Sequence, residues 1–83
     1  MTALADAPLG KNVHIARVSL EGEAAAWVVA VGLAEGEEIT VLRRAAFGGP
    51  LHVRLGSGGE FAVGREVARH ITVDLERTLD EPR

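Results

Sequence analysis

The sequence contains no cysteine and no tyrosine, and only one tryptophan, two phenylalanines and three prolines among its 83 residues. Without cysteine the chain can form no disulfide, thiolate zinc site or cysteine nucleophile, which fits a reducing compartment. With 4% aromatic residues, it has too few rings to line a groove for proline-rich peptides or to stack RNA bases. We therefore expect a core built from aliphatic side chains.

The chain also lacks an excess of positive charge and any long hydrophobic run. Its formal net charge of -3 provides no general attraction to nucleic acid or to anionic membranes. No segment approaches the roughly 20 apolar residues that span a bilayer, and the N-terminal sequence lacks the basic and apolar regions of a secretion signal. We expect a cytoplasmic protein that neither binds nucleic acid nor inserts into a membrane.

The length of the chain allows one small domain with a single core. Because 47% of its residues are hydrophobic, the chain has enough apolar surface to fold. We predict a flexible N-terminal arm over residues 1–7, a folded domain over residues 8–75, and a flexible C-terminal tail over residues 76–83.

Alternating apolar residues predict five short strands. The first spans about residues 12–20, and its apolar positions change phase near Ala16 and Arg17, which indicates a bulge or a sharp bend. The other four are predicted at about residues 39–46, 51–55, 61–63 and 71–75. His52 and Arg54 occupy outward positions of the third strand.

The segment from Glu23 to Leu33 is apolar on nearly every side, so its periodicity cannot distinguish a helix from a buried strand. An initial glutamate, three alanines, and Gly32 at a helix-ending position favour a short helix. Residues 65–69 predict one helical turn. The sequence therefore predicts a mainly β, SH3-like five-stranded barrel, with one short α-helix after the first strand and a helical turn before the last.

The order of these features resembles the FeoA family, small accessory proteins of bacterial ferrous iron uptake with an SH3-like fold. The matching segments are Leu9-Gly10, Val31-Gly32-Leu33-Ala34-Glu35-Gly36, Ala45-Ala46-Phe47-Gly48-Gly49-Pro50, and the ending with Arg65, Ala68, Ile71 and Val73. By this resemblance the structural positions of the motif are Gly10, Gly32, Gly36, Gly48, Arg65 and Ala68.

The resemblance implies a non-enzymatic cytoplasmic adaptor that docks on, and modulates, a FeoB-type membrane GTPase transporter. Two alternatives stay open. One is an SH3-like regulatory domain similar to that of DtxR-type iron-dependent repressors, and the other is a metal- or ligand-sensing module. Self-association also stays open.

No constellation of residues in the sequence supports catalysis or a bound cofactor. His14, His52 and His70 lie on separate predicted elements without cysteine, so we predict no metal site. Ser19 and Ser57 have no neighbouring His or Asp in a recognised motif, and the glycine loops lack the Gly-Lys-Ser/Thr ending of a phosphate-binding loop. We expect a protein that is not an enzyme.

The predicted helix is the main candidate for a docking surface. Residues 24–31 contain no charged or hydrogen-bonding side chain except the indole of Trp27, although a helix on a small barrel needs only one buried face. Either the rest of the domain wraps this helix, or part of it faces a partner. The predicted docking residues are Trp27, Val28, Val31, Leu33, Phe47 and Pro50.

Overall fold

The computed structural model describes residues 1–75, which form one antiparallel sheet of six strands together with two short helices. The elements are β1 (Thr2–Ala3), a 3-10 turn (Leu4–Asp6), β2 (Asn12–Val18), α1 (Gly22–Val31), β3 (Glu38–Arg44), β4 (Leu51–Leu55), β5 (Glu60–Val63), α2 (Arg65–Ala68) and β6 (Ile71–Asp74). The strands lie in the order β1-β6-β2-β3-β4-β5. Neither helix in this range is long and apolar enough to cross a membrane.

The mainly β architecture, the helix after the first long strand and the helical turn before the last strand are confirmed. The predicted strand number and closure are wrong, because the described residues form six strands and the sheet is not a closed barrel. β1 lies at one edge of the sheet and β5 at the other. A strand of only two residues has no alternation to detect, so the sequence could not reveal β1.

The bend predicted in the first long strand is confirmed. The register between β2 and β6 shifts between Ile15 and Arg17, as a bulge requires. Val13 and Ile15 are buried on the near side of this irregularity, and Val18 packs against the core from the far side. The extra residue lets both halves of the strand direct apolar side chains at one core.

The core is aliphatic, as expected. The fully buried larger side chains are Leu4, Val13, Ile15, Val28, Leu33, Ile39, Val41, Leu51, Val53, Val63, Ile71 and Val73. Six of the alternating apolar positions predicted to point inward are among them: Ile39, Val41, Leu51, Val53, Ile71 and Val73. Of the other two, Leu55 is 5% exposed and Leu75, which follows β6, is half-buried. Arg54 is exposed and His52 is half-buried on the other face of β4. These strands therefore have the register that alternation predicts.

The prediction of a flexible arm over residues 1–7 is wrong. Thr2 and Ala3 pair with Val73 and Thr72 of β6, and the following turn places Leu4 in the core with no exposed surface. One leucine among alanines gives no periodic signal, although its burial contributes about 2 kcal/mol. The tail predicted over residues 76–83 lies outside the described residues.

Helix α1 ends in a fully formed Schellman motif. Gly32 adopts a left-handed backbone with φ 96°, the amide of Gly32 donates to the carbonyl of Val29 at 3.1 Å, and the amide of Leu33 donates to that of Val28 at 2.8 Å. Val28 and Leu33 are both buried, which supplies the hydrophobic contact of this motif. The predicted role of Gly32 as the helix-ending residue is confirmed.

We predict that Gly32→Ala lowers the free energy of unfolding by about 1–2 kcal/mol, because an L-residue is strained in the left-handed region. A Cβ there would also lie 3.3 Å from Cδ1 of Leu55. Gly59→Ala is the matched control, since a Cβ at Gly59 meets nothing within 4 Å. Urea unfolding of the two variants measures the difference, and equal stabilities would contradict this role of Gly32.

Candidate docking surface

Helix α1 has one face in the core and the opposite face in solvent. Val28 and Leu33 are each 1% exposed, and Val31 is half-buried. The prediction that Val28 and Leu33 lie on a docking surface is therefore corrected: a partner could reach them only if the core opened. The sequence could not identify the buried face, because a uniformly apolar helix has no alternation of polar and apolar residues that would mark one side.

The solvent side of the helix consists of Ala26, Trp27, Val29 and Ala30, which we call the exposed α1 face. Val29 is 73% exposed and Trp27 37%. No charged side chain lies among these four residues, although exposed Glu23 borders them one turn earlier in the helix. An exposed apolar surface of this kind on a small protein is typical of an interaction site. Sequence reasoning identified Trp27 but missed Val29, which only the orientation of the helix reveals.

Trp27 is anchored on one side and free on the other. Its ring packs edge-to-face against Phe61 of β5, with centroids 6.0 Å apart and an interplanar angle of 86°. This arrangement is the favourable geometry for an aromatic pair. Because the ring is already fixed by Phe61, a partner that covers its exposed part would lose little side-chain entropy.

A second apolar projection lies on the loop between β3 and β4. Phe47 is fully exposed, and its backbone is left-handed with φ 59°, followed by Gly48 with φ 77°. The amide of Gly49 donates to the carbonyl of Ala46 at 3.1 Å and closes the turn. A left-handed phenylalanine costs about 1–2 kcal/mol, so the surrounding loop must hold this conformation.

Arg65 of α2 holds that loop. Its Nε donates to the carbonyl of Gly49 at 3.1 Å, and its Nη2 donates to the carbonyl of Ala45 at 2.9 Å. A planar guanidinium can bridge two carbonyls in this way, whereas an ammonium has no such fixed fork. The brace accounts for an arginine at this motif position, and Phe47 and exposed Pro50 lie on the loop that it fixes.

The other motif positions also lie at structural junctions. Gly10 and Gly36 have left-handed backbones, and their amides donate to the carbonyls of Val41 at 2.8 Å and Ile15 at 2.7 Å. Ala68, the last residue of α2, is completely buried. These residues position the strands and are not part of the exposed apolar surface.

The three histidines lie on separate elements. His14 is on β2, His52 is on β4 with its Nε2 3.3 Å from Oε1 of Glu60, and His70 follows α2 and is exposed. Within residues 1–75 no three His, Asp or Glu side chains come together in a group that could hold a metal ion.

The site is thus a set of apolar surface features on a small sheet domain, and comparison with known proteins identifies its family. The FeoA domain model matches residues 2–75, so the chain belongs to the FeoA family. The family predicted from the sequence is confirmed. The comparison with curated proteins gives no significant match.

Solved structures support the same assignment. A zinc complex of FeoA from Stenotrophomonas maltophilia, described as a prokaryotic SH3 domain protein, is 26% identical with a TM-score of 0.73, over 89% of this chain and 91% of that one. FeoA from Chlorobium tepidum is 26% identical with a TM-score of 0.78, over 89% and 70%. A manganese-dependent transcriptional repressor is 25% identical with a TM-score of 0.80, over 87% and 35%. The SH3-like class is confirmed.

We predict opposite effects for two neighbouring substitutions in α1. Val28→Glu should unfold the domain, because burying a carboxylate costs more than the few kcal/mol of stability that so small a core provides. Val29→Glu should change the free energy of unfolding by less than about 1 kcal/mol, because its side chain lies in solvent. Circular dichroism with thermal melting tests both, and a folded Val28→Glu variant would contradict the orientation of the helix.

We predict that Fe(II) or Zn(II) added to the protein leaves its melting temperature nearly unchanged, because the scattered histidines offer no preformed site and stabilisation requires preferential binding to the folded state. Differential scanning fluorimetry with and without a chelator measures this. A clear metal-dependent rise that disappears in His52→Ala or His70→Ala would overturn the prediction.

Proposed function

We propose that this protein is a non-enzymatic accessory protein of ferrous iron uptake that docks on the cytoplasmic region of a FeoB-type membrane GTPase transporter and modulates it. Membership of the FeoA family over residues 2–75 is the observation that carries the proposal. The similar Stenotrophomonas maltophilia protein has been proposed to act as a bacterial ferrous iron transport activating factor. In this proposal the protein acts in the cytoplasm.

The exposed α1 face supports a docking role. A partner surface that covers Val29 and the free part of Trp27 would bury apolar area beside a single charged side chain of the helix, Glu23. Tryptophan is also among the residues most enriched at the energetic centre of protein interfaces. Phe47 and Pro50, held out by the Arg65 brace, offer a second contact for the same partner or for another one.

A second candidate function is a regulatory domain similar to the SH3-like part of DtxR-type repressors. The similarity to the manganese-dependent repressor, with a TM-score of 0.80, favours it. This chain spans 35% of that repressor, so the likeness concerns one part of a larger protein. In this function the exposed α1 face would contact a repressor domain and not a transporter.

The third candidate, a metal- or ligand-sensing module, draws support from the zinc and manganese in these similar structures. The described part of this chain contains no group of three potential ligands. Thermal melting with Fe(II) or Zn(II) tests the metal-sensing form of this candidate.

The docking proposal predicts that Val29→Glu weakens binding to the purified cytoplasmic region of the FeoB-type transporter from the same organism by about 1–3 kcal/mol, because a carboxylate would enter the apolar contact. Ser57→Glu is the matched control, because Ser57 is exposed in the β4–β5 turn and the substitution adds the same negative charge. Isothermal titration calorimetry gives the affinities, and circular dichroism confirms that both variants are folded.

The same two variants should differ in their ability to support Fe(II) uptake in cells. In a strain that lacks the protein, Ser57→Glu should restore Fe(II) uptake and Val29→Glu should restore much less. The transporter proposal fails if the wild-type protein does not bind that region and does not restore uptake. Binding of the wild type to the DNA-binding part of a metal-dependent repressor would instead favour the second candidate.

A further inference from the structure

Strand β5 leaves one edge of the sheet open. It pairs with β4 on one side, in a register that places Val63 opposite Leu51 and Phe61 opposite Val53, and it is the last strand in the sheet order. An unpaired strand edge presents backbone amides and carbonyls to any chain that can adopt an extended conformation. Closed barrels have no such edge.

The hairpin fixes which backbone groups face the open edge. The amide of Leu55 donates to the carbonyl of Gly59 at 2.8 Å, so in this antiparallel ladder residues 59, 61 and 63 direct their groups toward β4. Glu60 and Ala62 therefore direct their amides and carbonyls away from the sheet. Within residues 1–75, neither residue takes part in a further backbone hydrogen bond.

A shallow, solvent-open groove of about 410 Å³ adjoins this edge at Ala62. It is lined by Glu23, Ala24 and Trp27 of α1, by Ala62 of β5, by Gly64, and by Val67 of α2. A helix thus stands on one side of the groove and an open strand edge on the other. This arrangement of helix and strand edge is the one in which domains bind an extended peptide as an added strand.

The charges beside the groove indicate the occupant. The carboxylate of Glu23 is exposed and has no ion pair or hydrogen bond with a side chain in the described part of the chain, so a basic residue would complement it. In a β5–β5 pairing, the added strand of the second copy would have the sequence Glu60–Val63, which contains no lysine or arginine. That strand would offer no positive charge to Glu23, which disfavours a second copy as the occupant.

We infer that the β5 edge and its groove bind an extended segment of another protein by strand addition. The segment hydrogen-bonds to the backbone of Glu60 and Ala62, places a small or apolar side chain against Trp27 and Val67, and directs a lysine or arginine toward Glu23. This inference supplies a binding mode for the docking function proposed above, and it rests on that function only for the identity of the partner.

Gly64 offers a direct way to fill the groove. Its backbone, with φ -60° and ψ 146°, suits any residue, and a Cβ there would meet nothing within 4 Å. Gly64→Leu therefore occludes the groove without strain. Gly59→Leu is the matched control, because a Cβ at Gly59 also meets open space and Gly59 does not line the groove.

The test uses phage-displayed random peptides selected on the intact protein, with the best binder synthesised as the probe. We expect the selected peptides to be rich in β-branched and basic residues. In amide NMR spectra the probe should shift Glu60 and Ala62 and slow their hydrogen exchange about tenfold or more, because these amides gain a partner. Gly64→Leu should raise the dissociation constant of the probe about tenfold or more, whereas Gly59→Leu should raise it less than about twofold.

A second variant keeps the inference testable if Gly64→Leu does not fold. Ala62→Pro removes an amide that points away from the sheet, and an edge strand tolerates proline at such a position. The variant should therefore bind the probe more weakly while the hydrogen bonds between β5 and β4 persist. Equal binding by folded Gly64→Leu and Gly59→Leu overturns the inference, as does the failure of every selected peptide to shift Glu60 and Ala62. Selection that yields no binding peptide also overturns it.

Self-pairing would give a different result. If the Ala62 amide becomes protected without peptide as the protein concentration rises, and sedimentation shows a dimer, the edge belongs to a second copy and the inference is overturned. These outcomes are independent of the transporter experiments. Val29 does not line the groove, so Val29→Glu should bind the probe like the wild type even if transporter docking fails.

Discussion

The contact between Val28 and Leu33 at the end of α1 determines most of the functional surface. Left-handed Gly32 lets the chain turn back so that both side chains enter the core, and this fixes the rotation of the helix about its axis. With Val28 inward, its two neighbours lie about 100° to either side of it. Val29 points to solvent on one side, and Trp27 packs against Phe61 on the other. The apolar face offered to a partner is therefore a consequence of the way the helix is capped.

Helix α2 connects the remaining features, although it has only four residues. Arg65 at its start braces the loop that carries Phe47, while Val67 lines the groove beside β5. Buried Ala68 attaches the same turn to the core. This short helix thus fixes the position of Phe47 relative to the groove beside β5. Such a preformed surface suits a protein that is proposed to bind another protein.

Much of this fold could be predicted because its determinants are local. The strands β3, β4 and β6 alternate, the apolar phase change at Ala16 predicts the bulge, and Gly32 marks the end of the helix. The orientation of α1 and the edge position of β5 depend on contacts between distant parts of the chain. A helix without polar residues has no phase, so Val28 was predicted at the surface and Val29 was missed. Likewise, no local pattern reports that Phe47 is left-handed.

The exposed part of Trp27 is the point at which this account is most directly tested. It is the single tryptophan of the sequence, so a fluorine-labelled tryptophan reports on that side chain alone. We expect its fluorine NMR signal to shift, and its sensitivity to solvent to fall, when the unlabelled cytoplasmic region of the FeoB-type transporter is added. A complex that forms while this signal stays unchanged would contradict docking through the exposed α1 face.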